Sequence, residues 1–109
     1  MKLVNMEITH TSVPDQGKAV VQAGDYLNKL TGDQIERECR AKIDAGCKEL
    51  VVDFSRTEIV NSVGISILLG VIDTAANAGA KVIFSDVNQH TAELFEILGV
   101  SRHALVNPN

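Results

Sequence analysis

The sequence predicts one α/β domain: a mixed, mostly parallel sheet with an opening antiparallel hairpin and helices packed on it. Short apolar, β-branched runs such as Leu50-Val51-Val52 alternate with longer segments whose apolar residues recur at helical spacing. Gly46, Gly79 and Gly99 each follow such a helical segment, where a left-handed stop is expected. The resulting order, β-β-α-β-α-β-α, gives parallel neighbours wherever a helix crosses between two strands. The 109 residues suffice for one core and leave no room for a second domain, so the domain is assigned to residues 1–109.

Each element has its own local reason. Leu3 to His10 alternates loosely and reads as a strand, and Pro14-Asp15-Gln16-Gly17 supplies a turn. Lys18 to Ala23 completes the hairpin. Thr31 and Gln34 fit a capping box, followed by Ile35, Cys39 and Ile43 at helical spacing, with Gly46 as the stop. A strand over 49–54 leads through the polar loop Ser55-Arg56-Thr57-Glu58 to a helix over 62–78, which Gly79 ends. A strand over 80–85 follows. Asn88 caps a last helix carrying Ala92, Phe95 and Leu98, and Ala104-Leu105-Val106 adds a short edge strand.

Composition narrows the function classes. Hydrophobic residues make up 45% and charged residues 22%, as in an ordinary globular chain. A net charge of −4 argues against nucleic-acid binding, which needs a basic surface to neutralise phosphates. Ser66, Gly70 and Asp73 interrupt the longest apolar stretch, so no membrane span is expected. The N-terminus resembles a strand rather than a signal peptide, and a cytoplasmic location follows as the default expectation. Cys39 and Cys47 form no metal-binding or CxxC pattern. Eight positions apart on one helix, they would stand about 12 Å apart, beyond disulfide reach, and read as reduced thiols filling apolar sites.

Catalytic chemistry finds little support. Ser62 lacks a Gly-x-Ser-x-Gly elbow, and His10, His90 and His103 are scattered. No glycine loop cradles a nucleotide phosphate, so no cofactor, metal or enzymatic activity is expected. Asp53, at a strand end, reads as a residue that hydrogen-bonds the adjoining loop or helix start.

Asn61-Ser62-Val63-Gly64 is more informative. It places a hydroxyl at the start of a helix, where unpaired N–H groups and a partial positive charge tolerate a phosphate. At about 100° per residue, Gly64, Leu68, Val71, Ile72 and Ala75 fall on the side facing the sheet. Ser62, Ile65, Ser66, Leu69, Asp73 and Ala76 fall together about a third of a turn away. Ile65 and Leu69 then make an apolar patch beside Ser62, unless a neighbouring loop or helix covers them. Gly64, one turn from the cap, implies a close approach to the sheet; Gly70 has no such reason in the sequence.

These residues carry a family resemblance. Asp53-Phe54-Ser55 followed by Ile59-Val60-Asn61-Ser62-Val63-Gly64-Ile65 resembles the central motif of STAS domains, especially bacterial anti-sigma factor antagonists. Gly24-Asp25-Tyr26-Leu27-Asn28 is similar to an earlier signature of the family, with one extra residue before the leucine. Gly79 to Phe84 and Leu94 to Val100 match the following turn, strand and last helix. One departure is Asn61, where the family usually carries Asp; it keeps a capping side chain and removes a charge.

The resemblance implies a binding protein that holds an anti-sigma factor, typically a serine kinase bringing its own ATP, and is released when Ser62 is phosphorylated. It further implies a partner-binding face comprising Asp25, Asn28, Asn61, Ser62, Ile65, Ser66, Leu69 and Asp73. A second reading uses the same face without phosphorylation, in a constitutive STAS subunit docked on a lipid-transport ATPase or a signalling scaffold. Ser62 favours the first reading, and Asn61 the second.

Overall fold

A computed structural model describes residues 17–108. The expected strand over 3–10, and the expected turn except for Gly17, lie outside the described residues, as does their antiparallel hairpin. Within them the chain runs β1 (Lys18–Gln22), β2 (Tyr26–Leu27), α1 (Lys29–Asp44), β3 (Glu49–Asp53) and β4 (Ile59–Val60). It continues through α2 (Ser62–Asn77), β5 (Lys81–Val87), α3 (Gln89–Ile97), a 3-10 turn at Val100–Arg102, and β6 (Leu105–Pro108).

Strands β1, β3, β5 and β6 form a sheet in that spatial order, parallel at every pairing. Ala19, Leu50 and Val82 share one row across the sheet, and Val21, Val52 and Phe84 the next. These alternate positions point to one face and join Ile35, Cys39 and Ile43 of α1, Leu68, Val71 and Ala75 of α2, and Phe95 of α3 in a single core. That core is largely aliphatic. Phe54, Phe84 and Phe95 form its aromatic cluster, with ring centroids 5.4 to 5.7 Å apart, and tie α3 to the carboxyl ends of β3 and β5.

Helix ends follow the residues that cap them. Asn88 caps α3 by accepting from Thr91 N–H at 2.8 Å, as its sequence position predicts. Gly46, Gly79 and Gly99 adopt positive φ just beyond the helices. The start of α1 differs from expectation. Asn28, rather than Thr31, is the N-cap: its Oδ1 accepts from Thr31 N–H at 3.1 Å, while Thr31 Oγ1 accepts from Asn28 N–H at 3.0 Å. Thr31 thus occupies the third helical position of a reciprocal capping box. Its hydroxyl also lies 2.7 Å from the Tyr26 carbonyl oxygen, to which it donates, so the helix begins directly after β2.

Candidate functional site

The site is assembled where two loops zip together at the carboxyl end of the sheet. Thr57 Oγ1 donates to Gly24 O at 2.6 Å, Glu58 N–H to Asp25 O at 2.8 Å, and Asn61 N–H to Leu27 O at 2.9 Å. Between these bonds, Tyr26 pairs with Ile59 and Leu27 with Val60 in a two-stranded parallel ribbon. Leu27 turns into the core, whereas Tyr26 (50% exposed) and Ile59 (57% exposed) stand side by side on the surface.

Ser62 is the first residue of α2 and is exposed. Asn61 caps the helix, its Oδ1 accepting from Gly64 N–H at 2.8 Å. Gly64 explains how closely the helix start sits on the ribbon. A Cβ there would lie 2.7 Å from both Leu27 Cγ and Leu27 O, distances that side chains do not tolerate. The expected close approach is therefore made, against the Leu27 segment of the ribbon. Ser62 consequently projects from a backbone held by two contacts with Leu27. An added phosphate would meet the positive end of the helix dipole there.

The other candidates divide by what their side chains do. Asp25, Ser66 and Asp73 are exposed, and Leu69 is 37% exposed. Ser66 Oγ donates to Ser62 O at 3.2 Å, a bond back to its own helix. Asn28 is half-buried, with its amide oxygen committed to the α1 cap. Ile65 requires correction: at 2% exposure it belongs to the core and cannot form the apolar patch expected beside Ser62. The buried arc of α2 is simply wider than the arc assigned from spacing.

The exposed apolar groups near this site come instead from Tyr26 and Ile59 on the ribbon, with Leu30 in the first turn of α1 and Val63 directly after Ser62. For Leu30 alone the sequence holds a signal that could have found it, since it falls off the Ile35-Cys39-Ile43 stripe. Two-residue strands are too short to display an alternation that would have exposed Tyr26 and Ile59.

Charge around the site is mixed. Asp25, Asp53 and Arg56 line an open crevice with Gln22, Gly24 and Ser55. Asp53 Oδ1 accepts from Ser55 N–H at 2.9 Å, and this backbone bond holds its carboxyl below the ordinary 3.8. Asp53 therefore braces its loop, as its position at a strand end suggests. Cys39 and Cys47 are free and buried, as expected of thiols filling apolar sites. Among the described residues no helix is long and apolar enough to cross a membrane.

The family model for the STAS domain matches residues 9–109. BtrV of Bordetella bronchiseptica, provisionally named an anti-sigma factor antagonist, is 27% identical over 73 residues, covering 67% of this chain and 63% of BtrV. The match thus spans less than two thirds of that relative's length. The Bacillus cell fate determinant SpoIIAA in its phosphorylated form superposes with a TM-score of 0.67 at 16% identity, covering 85% of each chain. The STAS domain of a SulP transporter from Vibrio cholerae gives a TM-score of 0.72 at 19% identity, covering 85% of this chain and 74% of that one. At these identities the structural likeness establishes the fold, which antagonists and transporter domains share.

Proposed function

The chain belongs to the STAS domain family, and on that premise we propose that it is an anti-sigma factor antagonist, a non-enzymatic binding protein switched at Ser62. Unmodified, it holds an anti-sigma factor that is also a serine kinase; phosphorylation of Ser62 ends the complex. The observation that carries this reading is the placement of Ser62. Ser62 is exposed at the first position of α2, on a backbone tied to Leu27 and directly following the ribbon that turns Tyr26 and Ile59 outward.

The physical logic is local. A phosphoserine adds nearly two negative charges, which a helix N-terminus accommodates, so the fold survives modification. A partner packed over Tyr26, Ile59, Val63 and Leu69 would instead have to desolvate that dianion, at a cost of a few kcal/mol. Phosphorylation therefore acts on the docking surface and spares the core. Asp25 and Asn61 lie at the same surface, with Asn61 supplying the cap and Asp25 a charge. Asn28 contributes through the α1 cap that terminates the ribbon, and Ser66 and Asp73 extend the exposed face along α2. A bacterial, cytoplasmic signalling role in transcription regulation follows from this reading.

The second reading, a constitutive subunit on a transporter ATPase or a signalling scaffold, is supported by the transporter domain among the structural likenesses and by Asn61 in place of Asp. A pull-down from the native host with wild-type and Ser62→Asp baits separates the two. A kinase-type anti-sigma factor held by wild type and lost by the variant supports the switch. A transporter ATPase held equally by both sinks it.

A further inference from the structure

From Thr57 and Asn88 we infer a clasp that couples α3 to the Ser62 surface, a role that deepens the switch reading and rests on it. Thr57 is buried, and three of its polar groups are committed to three separate segments. Its N–H donates to Phe54 O at 3.0 Å, its hydroxyl to Gly24 O at 2.6 Å, and its carbonyl accepts from Asn88 Nδ2 at 3.3 Å.

Asn88 completes the link because its two amide ends serve different helices and loops. Oδ1 accepts from Thr91 N–H and caps α3, which fixes the orientation of the amide and directs Nδ2 to the Thr57 carbonyl. The end of β5 is shaped to present it. A register irregularity between Phe84 and Val87 and a positive φ of 55° at Asp86 bend the strand just before Asn88. Downstream of Thr57, Glu58 and Asn61 carry the zipper to Asp25 and Leu27, and Asn61 caps the helix that bears Ser62. Thr57 and Asn88 are positioning residues in this arrangement, since neither offers its own side chain to the docking surface.

Asn88→Asp separates the clasp from the cap. Aspartate caps a helix as well as asparagine does, but its ionised carboxylate cannot donate to the Thr57 carbonyl. Amide hydrogen exchange on the full chain reads both bonds at once. The clasp predicts that exchange at Glu58 and Asn61 rises roughly five- to tenfold in Asn88→Asp while Thr91 keeps its protection. Thr57→Val should raise the same two rates, and Thr57→Ser, which keeps the hydroxyl, should restore them. Unchanged rates at Glu58 and Asn61 with Thr91 still protected would overturn the clasp. So would an equal acceleration of every amide, which signals general destabilisation. Because no partner enters this measurement, a failed switch at Ser62 and a failed clasp are told apart.

Discussion

Gly64→Ala is the substitution that most directly probes how Ser62 is held. The new Cβ would start 2.7 Å from Leu27 Cγ and 2.7 Å from Leu27 O, and 3.0 Å from Leu27 C. Leu27 is buried in the core, so its Cγ has little room to give, and its carbonyl belongs to the ribbon and is already the acceptor for Asn61 N–H. The start of α2 must therefore retreat by 0.3 Å or more simply to reach 3.0 Å from that oxygen. Overpacking of this kind costs about 1–3 kcal/mol, and alanine's better helix propensity returns up to about 1 kcal/mol. Because the clash involves hydrogen-bonded backbone, the cost falls in the upper part of that range, and a net loss of about 1–2 kcal/mol is expected, read as a lower denaturation midpoint at unchanged slope. Gly70→Ala is the matched control. Its Cβ meets only Glu36 Oε2 at 4.0 Å, so the propensity gain of about 0.5–1 kcal/mol should appear as stabilisation. If Gly64→Ala were as stable as wild type, or Gly70→Ala lost as much, the close-approach argument would be refuted.

Ile65→Ala should cost about 2–4 kcal/mol in chemical denaturation, because it empties a core site, whereas the half-exposed Leu69→Ala should cost under about 1 kcal/mol while weakening capture of the partner. Equal stability losses would contradict their assignment to different surfaces of α2. Burial, helped by nearby Glu38 and Cys47, pushes the Cys39 thiol up to about 12. The unfolded chain releases that proton first, so stability should fall between about pH 9 and 12, and the fall should be shallower in Cys39→Ala. Parallel pH profiles for the two proteins would show that another group sets the alkaline limit.

The succession of the longer strands and the helices along the chain was legible because their signals are long or chemically distinct: the β-branched run at β3, the helical spacing in α1 and α2, the glycine stops. What failed to read was short or relative. Asn28 and Thr31 are both competent caps, and the choice between them is made by the pairing of β2 with β4, four residues in all. Those two-residue strands carry no periodicity, so the outward Tyr26 and Ile59 could not be anticipated. Ile65 was misplaced for an angular reason. Buried positions on α2 run from Val71 through Gly64 and Leu68 to Ile65, an arc of about 120°, and the exposed side begins with Ala76 only about 20° further on, followed by Leu69 at about 40°. Spacing gives the angle, whereas the width of the buried arc depends on the neighbours packed around the helix. The start of α2 at Ser62 was legible because a cap, a strand-loop-helix setting and an ordered family motif coincide there.

The most direct test of the central claim is a calorimetric titration of the purified partner into this protein, unmodified and carrying phosphoserine at position 62, with amide spectra recorded for both forms. The switch predicts nearly identical spectra away from Ser62 and its immediate neighbours, and affinity weakened by about 100-fold or more (~2.8 kcal/mol) in the phosphorylated form. Equal affinity for the two forms would contradict it and leave Ser62 as a residue that merely begins a helix.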